Sequence, residues 1–202
     1  MSTREEVPSG ARLLTPRRRL DTLIAVRSGA FKLSTRPDGT QEQIVGFALP
    51  GELIGLEALS GSAYPFSVEA LEASSVCRFN LTSMQLSQQH MAEFQQQLIL
   101  ALARQARAAQ NIPMLLGAKN AEQRLALFLL DISSRLSEHG FPGQRFRLPM
   151  SRQSIANYLG LAMETVSRVF KRFHARGIID VRARHIALAD LEQLRTIAST
   201  AM

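Results

Sequence analysis

The 202-residue sequence contains one cysteine, four histidines and no tryptophan, and these scarcities exclude several kinds of site. A lone Cys77 cannot form an internal disulfide, and the histidines do not join it in a cluster at zinc spacing. No apolar run approaches the roughly 20 residues that span a bilayer, and the polar, Arg-rich start lacks the apolar core of a signal peptide. We therefore expect a cytoplasmic protein with no metal site and no membrane contact.

The sequence also lacks the short motifs that mark common catalytic sites. It has no GxxxxGK or GxGxxG loop to hold a phosphate and no GxSxG turn to present a nucleophilic serine. A barrel enzyme that holds a metal through histidines is disfavoured too, because no histidine occurs between Met1 and Gln89. We therefore predict that the protein is not an enzyme.

Positive charge is concentrated in the C-terminal part of the chain. Residues 118–202 contain 13 Lys and Arg against 7 Asp and Glu, a net charge of +6. Residues 1–117 contain 11 Lys and Arg against 10 Asp and Glu, a net charge of +1. An excess of this kind favours binding to nucleic acid, because cationic side chains release counter-ions from phosphates.

The stretch Ser151–Arg172, SRQSIANYLGLAMETVSRVFKR, lies within this basic part and has the pattern of a helix-turn-helix. Gly160 falls between two apolar periods, where a tight turn can require a positive φ angle. Ala156, four residues earlier, is small enough to let the two helices cross closely. The apolar positions that would face inward are Ile155, Leu159, Leu161, Val166 and Val169.

The second helix would then turn Met163, Glu164, Ser167, Arg168 and Lys171 outward. Such a face can enter the major groove of DNA, where an arginine suits the O6/N7 edge of guanine and a glutamate accepts from the N4 amino group of cytosine. A serine can reach a base or a phosphate. The spacing alone leaves a second interpretation open, an ordinary helical hairpin with a solvated charged face.

Two short strand-like runs follow the helix-turn-helix. Ile178–Val181 and His185–Leu188 flank the basic turn Arg182-Ala183-Arg184, which predicts a β-hairpin of the kind called a wing. An amphipathic helix is predicted before the motif over Asn120–His139, and a final helix over Leu191–Ala198. Together these elements predict a winged helix-turn-helix domain.

The first 117 residues have a different pattern. Residues 1–20 are polar and are predicted to be disordered or partly ordered. Residues 21–85 consist of short strand-like runs separated by turns that contain Gly and Pro, which indicates a small sandwich or jelly-roll barrel. We interpret it as a sensor-like β-barrel, which could be a ligand sensor, a relic of one or a dimerisation scaffold. The period becomes helical over residues 86–117, and residues 118–202 form the winged helix-turn-helix domain. The predicted strands are Leu23–Val26, Ala30–Ser34, Gln43–Phe47, Leu53–Ile54, Ser67–Leu71 and Ser75–Phe79.

The predicted helix over residues 86–117 carries an apolar stripe with small residues at its middle. Such a stripe lets a second copy of the helix approach closely, and a homodimer would present two recognition helices about one turn of duplex apart. Pro113 removes a backbone hydrogen bond, so we expect a kink or a stop near residues 111–117, at a hinge between domains. The residues assigned to dimerisation are Leu98, Ile99, Leu102, Ala106 and Ala109.

This order of elements predicts an α+β chain with an N-terminal β jelly roll, a long dimerisation helix and a C-terminal winged helix-turn-helix. It resembles the cAMP receptor protein/fumarate-and-nitrate-reductase regulator (CRP/FNR) superfamily of bacterial transcription factors, which implies a jelly roll of the cyclic-nucleotide-binding type. The most specific stretches are AVRSGAFK, GFALPGELIGLEAL, KNAEQRLALFL and FRLPMSRQSIANYLGLAMETVSRVFKRF. The Glu164-x-x-Ser167-Arg168 triplet is similar to that of the oxygen-responsive, FNR-like branch.

The resemblance implies a homodimeric transcription regulator that binds palindromic double-stranded DNA with TTGAT-like half-sites. It also implies control of genes related to oxygen, nitrogen oxides or redox state. Glu164, Ser167 and Arg168 would contact bases, and the hairpin loop with Asp38 and Gly39 is a candidate contact to RNA polymerase. Contacts to the DNA backbone are assigned to Ser151, Arg152, Thr165, Lys171, Arg172 and Arg184.

The sequence departs from the ligand sites of this family. Its cyclic-nucleotide binders follow the glycines of the barrel with a Glu for the ribose and an Arg for the phosphate. Here the order Gly55-Leu56-Glu57 displaces the Glu, and the loop Gly61–Ser67 has no Arg. A phosphate without a cation would be poorly compensated, so we expect no cAMP. Cys77 looks like the fourth ligand of the iron–sulfur sensors, but the three N-terminal cysteines are absent, so no cluster is expected.

No cofactor is predicted, and haem ligation through His90 is left open. We interpret Cys77 as a buried small hydrophobic residue on a strand, with a redox switch as the alternative. A second hypothesis for the whole chain is a small-molecule or redox-sensing barrel that acts mainly through protein–protein contacts.

Overall fold

The computed structural model describes residues 2–17, 21–37, 41–80, 88–116 and 120–199. The chain divides into two compact units, residues 1–110 and residues 111–202. The first unit is dominated by β-strands, and the second combines helices with a small sheet. The fold class predicted from the sequence is confirmed, because a β-rich domain, a long helix and a winged helix-turn-helix follow one another in that order.

The strands of the first unit form two antiparallel sheets of four strands each. They are β1 (Ser2–Val7), β2 (Arg12–Leu14), β3 (Thr22–Ser28), β4 (Phe31–Thr35), β5 (Gln43–Ala48), β6 (Leu53–Ile54), β7 (Ser67–Ala70) and β8 (Ser74–Asn80). One sheet has the order β1-β8-β3-β6, and the other has the order β2-β7-β4-β5. A short 3₁₀ helix, Leu56–Ser60, follows β6. The six strands predicted from the sequence correspond to β3 through β8.

Side chains from both sheets meet in one apolar core. In β7, Val68 and Ala70 are buried, whereas the alternate residues Ser67 and Glu69 are partly exposed, as the period of a strand requires. Buried residues of the other sheet contact the same core. The core residues are Val7, Leu13, Leu14, Ile24, Val26, Phe31, Ala48, Ile54, Tyr64, Val68, Ala70 and Val76.

The prediction of disorder or partial order over residues 1–20 is wrong for β1 and β2. The strand β1 pairs with β8 along its whole length, and an ion pair between Glu5 and Arg78 joins the two strands. Val7 is 5% exposed and anchors the end of β1 in the core. The charged residues of β1 resemble those of a solvated tail, but charge is also typical of a strand at the edge of a sheet.

The long helix α1 extends over Gln88–Leu116. It passes Pro113 and ends three residues later, inside the stretch where a kink or a stop is expected. The boundary between the two compact units, after Gln110, also lies within this helix. Among the described residues, no helix is both long enough and apolar enough to cross a membrane.

The second unit contains four further helices and a three-stranded sheet among its described residues. They are α2 (Ala121–Glu138), β9 (Arg145–Arg147), α3 (Arg152–Leu159), α4 (Met163–Ala175), β10 (Ile179–Arg182), β11 (His185–Leu188) and α5 (Leu191–Ser199). The strands pair antiparallel in the order β10-β11-β9. The predicted wing is therefore the β10–β11 hairpin, and Ala183 at its tip has a φ of 56°.

Apolar faces of α2, α3 and α4 form the core of the second unit. Helix α2 packs against α4 and α5, and α3 packs against α4. Phe128, Ile155 and Phe173 are each at most 1% exposed. All five α2 residues predicted to face inward are buried, and so are the predicted α3 and α4 positions. Leu161 is the exception, because it lies in the turn after Gly160 and is partly exposed.

Candidate nucleic-acid interface

A glycine turn sets the geometry of the α3–α4 pair. Gly160 has φ 62° and ψ 40°, the left-handed conformation that ends α3, and its backbone N–H donates to the carbonyls of Ala156 and Asn157. Ala156, four residues before Gly160, is fully buried in a helix that packs against α4. At the other end of α3, Ser151 Oγ accepts from the backbone N–H of Ser154 at 3.0 Å. The turn, the small residue and the helix cap that the sequence predicts are therefore confirmed.

The three predicted base-reading residues lie together on the outer face of α4. Glu164 and Arg168 are exposed, and Ser167 is partly exposed. Arg168 Nη2 donates to Thr165 Oγ1 at 3.2 Å, which holds the guanidinium along the helix surface. The opposite face of α4 is buried at Val166, Val169, Phe170 and Phe173. An acid, a hydroxyl and a guanidinium are thus presented on one side of a helix whose other side is fixed in the core.

Arg152 has a different environment from that of an exposed phosphate contact. Its guanidinium carbon lies 3.3 Å from the centre of the Phe170 ring, a cation–π contact that joins the start of α3 to α4. Burial lowers the pKa of Arg152 to about 10, so the side chain remains cationic at neutral pH. Its role at the DNA backbone stays a prediction, and the structure adds a packing role.

Three of the predicted backbone contacts surround one recess between α3 and the wing. Ser151, Arg152 and Arg184 line it together with apolar side chains. Arg184 Nη1 donates to the carbonyl of Pro149 at 3.4 Å, and its own carbonyl accepts from the backbone N–H of Leu148 at 2.8 Å. These contacts attach the wing to the segment that precedes α3, so two arginines and a hydroxyl converge there.

The other predicted backbone contacts lie on α4 itself. Lys171 is exposed, and Thr165 is partly exposed. Arg172 is also exposed, but its Nη1 donates to Glu122 Oε1 on α2. Sequence reasoning did not identify Glu122 or Phe170 as partners of this surface. No local signal could have found them, because 50 residues separate Glu122 from Arg172, and Phe170 lies on a different helix from Arg152.

The predicted dimerisation residues lie on α1 in the first unit. Ile99 is 65% exposed and Leu102 is 43% exposed, which leaves two large apolar side chains in solvent in the single chain. Ala106 is exposed and Leu98 is partly exposed. The side chain of Ala109 lies outside the described residues.

Two polar side chains of the barrel unit, Glu57 and Tyr64, lie close enough to interact electrostatically. Glu57 Oε2 is buried, and no donor among the described residues contacts it. Burial raises the pKa of the Tyr64 phenol, and the nearby charge of Glu57 raises it further. Among the described residues, no Lys or Arg is completely buried, and Lys32 of the barrel, which is 14% exposed, already lies beside Glu42 and Glu69. The expectation that the barrel binds no cAMP stays a prediction.

The predicted polymerase and redox residues are only partly described. Asp38 and Gly39 lie outside the described residues, and so does the side chain of His90. Cys77 lies on β8 with a free thiol, as predicted, but it is partly exposed and not buried. Successive side chains of a strand point to opposite faces, and Val76 lies in the core, so the Cys77 side chain lies on the other face of β8. In the described part of the chain, no three His, Cys, Asp or Glu residues form a group that could hold a metal.

Two domain profiles match the chain. Residues 4–87 match the cyclic nucleotide-binding domain, and residues 123–197 match the Crp-like helix-turn-helix domain. The first match covers most of the described barrel, and the second contains α3, α4 and the wing.

Relatives with similar sequences are named as transcription regulators. Transcriptional activator protein FnrA of Stutzerimonas stutzeri is 41% identical over 181 residues, which cover 90% of this chain and 74% of that protein. Anr of Pseudomonas aeruginosa is 41% identical over 177 residues, which cover 88% and 72%. The fumarate and nitrate reduction regulatory protein of Yersinia pestis is 35% identical over 195 residues, which cover 96% and 78%.

Solved structures share the fold along the whole chain. FixK2 from Bradyrhizobium japonicum has a TM-score of 0.84 and 29% identity, with all of both chains covered. A CooA mutant from Carboxydothermus hydrogenoformans has a TM-score of 0.74 and 21% identity, with 98% of this chain and 88% of that chain covered. The second similarity concerns the fold alone.

Proposed function

Because this chain belongs to the CRP/FNR family of DNA-binding transcription regulators, we propose that it binds palindromic, TTGAT-like sites as a homodimer. We propose further that the controlled genes are related to oxygen, nitrogen oxides or redox state, as the names of the fumarate and nitrate reduction relatives suggest. The protein would act in the cytoplasm, where it would also contact RNA polymerase.

One observation carries the proposal. Helix α4 presents Glu164, Ser167 and Arg168 on one exposed face, while its opposite face is buried in the second unit. An arginine can donate two hydrogen bonds to guanine, and a glutamate can accept from cytosine, so this face can discriminate base pairs in a major groove. The net charge of +6 over residues 118–202 supports attraction to the phosphate backbone.

A homodimer is supported by the surface of α1. Ile99 and Leu102 are large apolar side chains that a single chain leaves exposed, and the exposed Ala106 permits close approach of a second helix. Burial of such residues in a two-fold interface would remove apolar area from water. Two copies of α4 related by a two-fold axis suit an inverted repeat in the DNA.

We propose that this regulator acts without cAMP and without an iron–sulfur cluster. One carboxylate oxygen of Glu57 is buried without a donor among the described residues, and its charge would repel a phosphate placed beside it. A cluster takes four ligands, and the chain provides one thiol, Cys77. The residues present therefore do not fit either group.

Selection from random DNA duplexes tests the proposed site. The expected result is an inverted repeat with TTGAT-like halves. Recovery of a single half-site would contradict the homodimer, and failure to select any sequence would contradict base reading altogether. The second outcome, together with a tightly bound small molecule, would favour a sensing barrel that acts through protein contacts.

Paired substitutions on α4 test the base-reading assignment. Arg168→Ala should remove discrimination at one guanine, a loss of about 1–3 kcal/mol, because the two hydrogen bonds to the O6/N7 edge are lost with the guanidinium. Lys171→Ala is the matched control, and it should weaken binding to every sequence alike. It should also lower the salt slope, the steepness with which the logarithm of the binding constant falls with the logarithm of the salt concentration, by about one. Titrations with the selected duplex and its single-base variants measure both effects. Equal losses on all duplexes from both variants would show the assignment of Arg168 to be wrong.

A further inference from the structure

One carboxylate of the second unit lies between two arginines of α4. Arg172 Nη1 donates to Glu122 Oε1, and Arg176 Nη1 lies 3.6 Å from Glu122 Oε2. The side chain of Glu122 is 23% exposed, compared with 57% for Arg172 and 44% for Arg176. The acid is therefore the most buried member of the group, and both guanidinium groups remain accessible from solvent.

Glu122 is not required to cap α2. Asn120 Oδ1 accepts from the backbone N–H of Gln123 at 3.0 Å, and Gln123 Oε1 accepts from the backbone N–H of Asn120 at 2.9 Å. These two bonds complete a capping box without Glu122. A carboxylate in the first turn also interacts favourably with the helix dipole. The carboxylate of Glu122 therefore remains available to the arginines of α4.

The position of Arg172 relates this ion pair to DNA binding. Arg172 follows Arg168 by four residues, so the two side chains lie along one face of α4. When Arg168 enters a groove, an arginine one turn further along the helix is placed to contact the backbone. A phosphate and Glu122 then require the same cationic group, and the two anions repel each other.

We propose that Glu122 is an intramolecular competitor for the DNA backbone, a positioning residue that occupies Arg172 and Arg176 in the free protein. DNA binding then requires Arg172 to exchange a carboxylate for a phosphate. The net gain from this arginine is smaller than that from Lys171, which is exposed and forms no ion pair with any residue that the structure describes. Glu122 therefore lowers the affinity for all sequences. This inference rests on the proposed function, because it places α4 against DNA.

Glu122→Gln tests the competition. The amide keeps the size of the side chain and removes its charge, so Arg172 becomes available to phosphate. We expect binding of both random and selected duplexes to tighten by about three- to tenfold at 0.1 M salt, with a salt slope steeper by about one. Fluorescence titrations of the full chain over a salt series measure both quantities, and a thermal scan confirms that the variant is folded. If it is not folded, Glu122→Asp replaces it, because the shorter acid retracts from Arg172 and should give a smaller change of the same sign.

Glu192→Gln is the matched control for net charge. Glu192 pairs with Arg195 at 2.8 Å on α5, and both side chains are largely exposed. The charge change is identical, so any effect of net charge alone appears in this variant, and we expect less than a twofold change. In the background of Arg172→Ala, Glu122→Gln should lose most of its effect.

Two outcomes would overturn the inference. Weaker binding of Glu122→Gln with a shallower salt slope would mean that the carboxylate helps to hold Arg172 against phosphate. Equal effects of Glu122→Gln and Glu192→Gln on DNA affinity would mean that net charge alone explains the change, without competition for Arg172. Failure of the proposed function is recognised separately, because the unmodified chain would then select no sequence and Arg168→Ala would change no preference.

Discussion

Charged side chains have different partners in the two units of this regulator. In the barrel, Lys32 is 14% exposed and lies 3.2 Å from Glu42 and 3.3 Å from Glu69 on neighbouring chain segments. On α4, Arg168 and Lys171 are exposed. The net charge is +1 for residues 1–117 and +6 for residues 118–202. Charges of the barrel therefore compensate one another, whereas the second unit has cations in excess.

Charged side chains therefore serve stability in the barrel and binding on α4, although the two units are stabilised by similar apolar cores. Both units have apolar cores with side chains that are completely buried, such as Phe31 in the barrel and Phe173 in the second unit. An ion pair inside the barrel can contribute only to the barrel, but an unmatched cation on α4 can attract a polyanion. Changes in the core should therefore alter stability, and changes on the outer face of α4 should alter binding and its salt dependence.

The largest expected effect comes from the core of the second unit. Phe173→Ala removes a fully buried ring from α4 and should lower the free energy of unfolding of that unit by about 3–5 kcal/mol. DNA binding should be lost with the packing that orients α4. Chemical denaturation followed by circular dichroism measures the loss.

Phe141→Ala is the control for the size of the side chain. Phe141 is 41% exposed, so its removal should change the free energy of unfolding by less than about 0.5 kcal/mol. A similar cost for both variants would contradict the view that apolar packing of α4 fixes the interface.

A smaller effect is expected from the charge cluster of the barrel. Burial would raise the pKa of Glu42, but the hydrogen bond from Ser34 and the hydrogen bond and charge of Lys32 outweigh it, so the pKa is lowered. Ser34 Oγ donates to Glu42 Oε1 at 2.7 Å. Glu42→Gln should therefore lower the free energy of unfolding by about 1–2 kcal/mol at pH 7. Denaturant titrations at several pH values measure the difference from the unmodified chain.

The pH dependence gives this prediction its sign. A carboxyl whose pKa is lowered by folding stabilises the folded state above its ordinary pKa, here 4.5, and loses that contribution as the pH falls through the lowered value. The deficit of Glu42→Gln should thus be complete at pH 7 and shrink below pH 4.5. Glu6→Gln is the control, because its pair with Arg4 is exposed and contributes less than about 0.5 kcal/mol. A deficit that does not vary with pH would show that the charge of Glu42 is not responsible.

Much of the framework could be predicted from local sequence. The glycine of the α3–α4 turn, the Ser151 cap and the six strands β3 to β8 each have a signal within a few residues, because turn chemistry and apolar period act locally. The outward face of α4 follows from the same period once Val166 and Val169 are assigned to the core.

The features that could not be predicted depend on contacts between distant residues. β1 has a charged sequence, and only its pairing with β8 makes it a strand. The stacking of Arg152 on Phe170 and the binding of Arg172 to Glu122 depend on how α2, α3 and α4 cross. A short sequence pattern cannot specify such pairs, since many arginines and acids along the chain are equivalent in sequence.

The smallest effect comes from the start of α4, and it separates stability from charge. Ala162 has φ −71° and ψ 145°, the conformation of an N-cap residue, but it provides no side-chain hydrogen bond. Ala162→Ser should add an acceptor for a free backbone N–H of the first turn and raise the free energy of unfolding by about 0.5–1 kcal/mol. Ser151→Ala, which removes the working cap of α3, should lower it by a similar amount. Denaturant titrations measure both changes.

Neither substitution alters a charge, so the salt slope of DNA binding should stay the same in Ala162→Ser. A changed slope would contradict the view that stability and the salt dependence of binding arise from different side chains.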